Sequence, residues 1–328
     1  MAKINFKEIW TFTKEMFSSF SDDNVMSRAA ALAYYTVFSL APILVIVITT
    51  AGFFFGEEAL RGQLFNQLKG LLGAEAAATV QTMVANVSTS GAGTVATVLS
   101  IATLIFGATG AFNELKTSLN QIWDVKAKPK NGIWFMVRER LLSFTMVLSL
   151  GFLLLVTLVI NAAIAVVTSF FASLIPEAGE FAIHAFNFVV SVGVSTLLFA
   201  AIFKGLPDVK IKYSDVWKGA LFTSLLFTVG KFLIGLYIGQ SDVGGTYGAA
   251  GSLVIIMLWV YYSSVILFLG AEFTYVYALR YGTHIMPTAN AVHVRLVEEP
   301  AGTVMDNGEK PHRPYSYAPE YSPREKKS

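Results

Sequence analysis

The chain has 328 residues, of which 54% are hydrophobic and only 14% charged, with a formal net charge of +2 and no cysteine. With a mean hydropathy of +0.58 it lies outside the range of ordinary soluble domains. The small net charge argues against a nucleic-acid partner, and the lack of cysteine excludes disulfides, thiolate metal sites and cysteine nucleophiles.

Phe6, Ile9, Trp10, Thr13, Phe17 and Phe20 recur at spacings of three and four, with Lys3, Lys7, Glu8, Lys14 and Glu15 on the other side. Residues 1–28 are therefore expected to hold an amphipathic helix, either in the membrane interface or packed along the base of a bundle. Asp22, Asp23 and Asn24 supply N-cap candidates for a second helix running through Arg28. Six apolar runs follow, near residues 30–55, 94–112, 141–171, 181–203, 217–239 and 249–279. Each is long enough to cross a hydrocarbon core of ~30 Å at ~1.5 Å per residue. The first lacks the short apolar core and small-residue cleavage site of a signal peptide, so it is expected to remain in the mature protein. Pro42 is expected to kink it.

The segment 56–93 is too long for a bare connector, and its Leu and Val spacing predicts two short amphipathic helices. They are expected to serve as a cap over apolar ends or as a lid over an opening. After the second run, GAFNELKTSLNQIWDV is expected to stay helical, with Pro129, Asn131 and Gly132 marking a turn. Residues 283–328 contain six of the ten prolines and little apolar periodicity, which predicts a disordered tail.

Basic residues set the orientation. Of the 24 Lys and Arg, 21 lie in 1–29, 113–140, 204–218 and the segment from Arg280 onward. The alternate segments hold only Arg61 and Lys69, and Lys231 lies inside a run. Cations near helix ends resist translocation, so both termini are expected on the cytoplasmic side and 56–93 outside. The fold class expected is all-α: a polytopic protein whose six transmembrane helices occupy residues 29–282.

Ionisable groups in hydrocarbon cost at least ~2.5 kcal/mol and mark pathways or pairing sites. His184, Asn187, Ser191 and Ser195 form one polar stripe, and Ser224, Thr228, Lys231 and Gly235 form another on the next helix. They are expected to face each other and line a path, with Asp242 near its outer end. Lys231 lies ~21 Å along its helix from the cytoplasmic start, whereas Glu272 lies ~35 Å from the outer start of the last helix, so the two do not pair. Glu272 is instead expected to join Arg28, Asn113, Glu114 and Arg138 in a separate cytoplasmic-side cluster. Each group has a plainer reading: Lys231 snorkelling outward, Ser and Thr cementing helices, charges anchoring span ends. The Gly235 and Gly239 pair in GLYIG permits close helix approach, more often for packing than for function.

There is no phosphate-binding glycine loop, no His pair at metal spacing and no nucleophile-elbow serine, which disfavours an enzyme and implies neither metal nor cofactor.

Three segments, SRAAALAYYTVFSLAPIL (27–44), FNELKTSLNQIWDV (112–125) and YGAAGSLVIIMLWVYYSSVILFLGAEFTYVYA (247–278), resemble the bacterial YihY/BrkB family of inner-membrane proteins over about residues 5–282. The residues carrying the likeness are Tyr34, Ser39 and Pro42, then Asn120 and Trp123, then Gly248, Trp259, Tyr261, Gly270, Ala271 and Glu272. The resemblance implies a six-span bundle of the bacterial cytoplasmic membrane with proposed roles in export or envelope resistance. Some family members carry the label ribonuclease BN. The residues here argue against that label, because a metal-dependent nuclease needs a His and carboxylate cluster on a soluble domain.

The expected function is transporter-like, moving a lipid or amphiphile, with membrane lipids as partners and an oligomer allowed. The rival is a scaffold in envelope assembly that uses the N-terminal helix and basic tail to hold partners.

Overall fold

The computed structural model describes residues 6–55, 57–72, 74–88, 110–128, 179–240, 250–282 and 285–294. In chain order the helices are α1 (Phe6–Asp22), α2 (Val25–Phe55), α3 (Glu57–Leu72) and α4 (Ala74–Ser88). Then come α5 over 110–122, α6 (Gly179–Gly205), α7 (Tyr213–Gln240) and α8 (Gly251–Arg280). Four short strands accompany them: β1 (Val125–Ala127), β2 (Val209–Lys210), β3 (Met286–Pro287) and β4 (Ala291–His293).

Among the described residues three stretches are long and apolar enough to cross a membrane: Phe188–Gly205, Tyr213–Tyr237 and Gly251–Arg280. The first apolar run forms most of the 31-residue α2, which continues through Pro42 without a break in the helix. The second run is described only at its end, and the third, with Arg138 and the turn at Pro129, lies outside the described residues. Residues 57–88 form two helices, α3 and α4, as their spacing implies.

α8 is the axis of the bundle, packing against α2, α7, α1 and α4, while α6 packs on α7. The α7–α8 contact is antiparallel and reciprocal: Gly219 faces Thr274, and Gly270 faces Thr223. Each threonine donates its hydroxyl to the glycine carbonyl four residues earlier, at 2.7 Å in both helices. A Cβ on either glycine would overlap the opposing threonine side chain, so Gly-x-x-x-Thr written twice is what lets these backbones approach. Gly230 plays the same part against Tyr262, while Gly235 meets nothing within 4 Å. Among the described residues, then, Gly235 of GLYIG makes no close approach.

The main core gathers at the end of the bundle where α1, α5, the α6–α7 turn and the chain after α8 converge. Val25, Phe112, Leu119, Trp123, Phe203, Val216, Phe268 and Ile285 belong to it. A smaller cluster of Val37, Ala76, Val80, Ile255 and Ile256 joins α2, α4 and the start of α8.

The expectation of disorder from residue 283 fails for 285–294. There β3 pairs antiparallel with β2, placing Met286 opposite Lys210, and β4 pairs with β1, placing Ala291 opposite Ala127. Backbone bonds from Lys128 to Asn290 (2.8 Å), Thr288 to Asp208 (2.9 Å) and Val294 to Asp124 (2.9 Å) extend the seam. Strands of two and three residues are too short to show alternation, and their partners are distant in sequence, so nothing local announces them. The fold is therefore mostly helical, with two small sheets that an all-α reading omits.

Candidate functional site

At the converging end, α1 and α2 meet in an elbow. Asn24 takes φ 52°, a left-handed conformation that Asn tolerates, and its carbonyl accepts from the Arg28 N–H at 3.2 Å as α2 begins. Below the elbow, Trp123 is fully buried and donates its indole N–H to the Ala271 carbonyl at 3.1 Å. Asn120 donates to Asp208 Oδ2 at 3.0 Å and accepts from the Asp208 backbone N–H at 2.8 Å, and Lys116 closes on the same carboxylate at 3.0 Å. The second motif thus ties α5 to both α8 and the α6–α7 turn.

These ties fix the surroundings of Glu272. Its side chain is 0% exposed and neither carboxylate oxygen has a hydrogen-bond partner. The carboxyls whose negative charge acts on it most are those of Asp23, then Asp124 and Asp22. One turn along α8, the Tyr275 hydroxyl donates to Asp124 Oδ2 at 2.5 Å. Arg28 donates its ε N–H to the Asp23 carbonyl at 2.7 Å. Burial pushes the Asp23 carboxyl up to about 6, with Glu272 as a neighbour and Arg28 pulling the other way.

Of the residues expected to cluster with Glu272, Arg28 stands beside Asp23, bonding its carbonyl rather than Glu272. Asn113 is exposed, and Glu114 accepts from Ser118 at 3.3 Å within its own helix. Asp23, Asp124 and Tyr275 were not among them. Asp23 reads as a helix cap and Asp124 as the end of a motif, but Tyr275 stands three residues from Glu272 on one face of α8, a spacing visible in the sequence.

In the polar stripes, Ser224 is buried and shares a 2.7 Å hydrogen bond with Thr196 on α6. Ser195 is half-buried, Ser191 exposed and Thr228 half-buried, while Lys231 is exposed. Thr196 donates or accepts across the helix pair and also bonds the Val192 carbonyl at 2.7 Å, as Thr228 bonds that of Ser224 at 2.8 Å. Among the described residues the second stripe thus reaches α6 through Ser224 at Thr196, which is not one of the residues of the first stripe. His184 and Asn187 lie on α6 by backbone position, and Asp242 falls outside the described residues.

Of the family-motif residues, Ser39 is buried and bonds the Thr36 carbonyl at 3.1 Å, whereas Tyr34 is exposed. Tyr261 donates to Met26 Sδ at 3.1 Å. The Trp259 ring meets Phe227 edge-on at 6.0 Å, its buried N–H without a partner. Gly248 lies outside the described residues.

At the opposite end, α3 and α4 lean on α2 and leave a partly open cleft of about 110 Å³. Leu44, Ile48, Leu64, Leu68, Val80 and Val84 line it, and Arg61 and Gln81 supply its polar groups. Thr79 on α4 bonds Ser252 at the start of α8 at 2.7 Å, which fixes this end to the axis.

Apolar helices long enough to span a bilayer, sealed at one end by a polar seam and joined at the other by a helical hairpin, define a multi-pass membrane protein. The sequence model of the family described as virulence factor BrkB matches residues 16–293, and the chain belongs to that family. It is 28% identical over 259 residues to a UPF0761 membrane protein of Pseudoalteromonas translucida, covering 77% of this chain and 81% of that one. A UPF0761 membrane protein of Pseudomonas paraeruginosa is 30% identical over 275 residues, 79% of this chain and 61% of its own. The match to Bacillus subtilis YfkH, whose name calls it ribonuclease-like, is 25% over 294 residues, 86% of this chain and all of that one. No solved structure matches the chain significantly. The relatives and the apolar helices make this a multi-pass bacterial membrane protein.

Proposed function

We propose that the protein is transporter-like: it moves a lipid or other amphiphile across the bacterial inner membrane and catalyses no covalent reaction. The observation that carries this reading is the cleft between α2 and the α3–α4 hairpin. Its walls are aliphatic apart from Phe65 and its polar groups are a guanidinium and an amide, the combination that suits an acyl chain beside an anionic head. Its volume decides what fits. A dry cavity of ~150 Å³ takes a benzene-sized guest, so about 110 Å³ seats a segment of one chain rather than a whole phospholipid. The α3–α4 hairpin is then the gate, and the Thr196–Ser224 pair a polar contact inside the bundle.

The seat is tested by photolabelling with a diazirine fatty acid in vesicles containing the purified protein. The reading expects crosslinks on cleft residues that excess unlabelled fatty acid competes away and that Val84→Phe, which fills the cleft, reduces several-fold. Crosslinks spread evenly over the exposed faces of α6 and α7 and indifferent to Val84→Phe would contradict it.

A scaffold role draws support from α1, where Phe6 is 81% and Trp10 66% exposed. Scaffolding requires loss of function on trimming residues 1–20 with Glu272→Ala and Lys231→Ala tolerated; transport requires sensitivity at those charges while the protein still accumulates.

A further inference from the structure

We infer that Glu272 and Asp23 form a proton-binding site in which one proton, drawn from water through the α1–α2 elbow, is held between the two carboxyls. The inference goes beyond the transport reading and holds whatever the bundle carries. It stands on four features of the geometry. Glu272 is 0% exposed, and both of its oxygens lack a donor. Among the described residues no donor or cation bonds it, and a buried carboxylate so placed takes up a proton or a metal ion. Among the described residues the charged groups whose fields act on it are Asp23 and Asp22 at the elbow and Asp124 after α5, with Tyr275 one turn along α8. Arg28 acts on Asp23, and its ε N–H is engaged by the Asp23 carbonyl.

A metal ion is the poorer occupant. Among the described residues no three His, Asp or Glu side chains converge closely enough to ligate one, and the Asp124 carboxylate already accepts from Tyr275. Two carboxyls that face each other share a proton instead, because both cannot ionise at close range. Access is graded. Asp23 is half-buried and Glu272 closed off, so a proton passes from water to Asp23 and on to Glu272, the second oxygen accepting as the first releases. The elevated Asp23 carboxyl, at about 6, suits the middle step.

The test is infrared difference spectroscopy of the full-length protein in lipid vesicles, following the carbonyl stretch of protonated carboxyls against pH. The wild type is expected to show such a band at neutral pH that Glu272→Gln lacks. In Asp23→Asn the band is expected to disappear at a pH lower by about 1 unit or more, since a neighbouring negative charge has gone. If Glu272→Gln does not fold, the Asp23→Asn shift decides alone. An unchanged band in Glu272→Gln, or no shift in Asp23→Asn, overturns the site. Loss of the band on adding sodium or magnesium chloride overturns it also, in favour of a metal cation.

Discussion

Asn120 and Asp208 lock α5 to the α6–α7 turn through two hydrogen bonds, and Asn120 is only 7% exposed. Asn120→Ala leaves the Asp208 backbone N–H without its acceptor, while Lys116 still holds the carboxylate. A cost of about 1–3 kcal/mol is expected, read as a lowered unfolding midpoint in detergent. Asp23 gives a pH dependence of a defined sign. Its folded carboxyl, raised to about 6, holds a proton that the unfolded chain releases near ~4. Folded protein therefore binds more protons between those values, and stability falls as pH rises from about 4 to about 6. Asp23→Asn is expected to flatten that slope and to stabilise the protein at neutral pH; an unchanged slope would remove Asp23 as its cause. Glu272 stood out in the sequence because a carboxylate inside an apolar run is rare, but its neighbours did not. Asp23 and Asp124 come from segments some 100 residues apart and reach Glu272 only through the elbow at Asn24 and the anchor at Trp123.

At the scale of elements, the α7–α8 pair is held by small residues, and its sensitivity follows from that. Gly219→Ala drives a Cβ into Thr274, and overpacking of this kind costs about 1–3 kcal/mol. Adding Thr274→Ala is expected to recover part of the loss, because the hydroxyl nearest the new Cβ is removed. Additive losses in the double variant would mean that the two positions do not meet. α1 poses a different question, since it is held both by an ion pair and by rings. Arg280 grips Glu15 through two hydrogen bonds, of 2.7 and 2.5 Å, and holds that carboxyl below its usual range. The Glu15 side chain is nevertheless 50% exposed, and pairs of that kind contribute ~0.2–1 kcal/mol. Phe12 lies edge-on to Phe273 at 5.2 Å and near Tyr281. Phe12→Ala is accordingly expected to release α1, measured as faster protease cleavage in residues 6–22, more than Glu15→Gln does. The amphipathic period of α1 and the two helices of 57–88 were legible because each has a strong apolar repeat. The double Gly-x-x-x-Thr was legible too, yet GLYIG drew the eye, and glycine spacing does not tell which glycines face a partner.

For the molecule as a whole, the alternation of basic residues finds a structural counterpart. α1, α5, the α6–α7 turn and the chain after α8 are the Lys- and Arg-rich segments, and they are the ones stitched together at one end by the two sheets, by Asn120–Asp208 and by Glu15–Arg280. These segments share one end of the bundle, and the charge rule gives the expectation that this end lies in the cytoplasm. The cysteine-free background makes this directly testable: Lys128→Cys is expected to react with an impermeant maleimide only from the inside, and Asn66→Cys from the outside. Long apolar runs made the membrane class plain from composition alone, whereas the small sheets and the cleft arise from contacts across the whole chain. Movement of an amphiphile is measured most directly as leaflet exchange of a labelled phospholipid in vesicles containing the purified, folded protein. Exchange well above that of empty vesicles, and reduced by Val84→Phe, is expected; exchange no faster than in empty vesicles would rule out such movement.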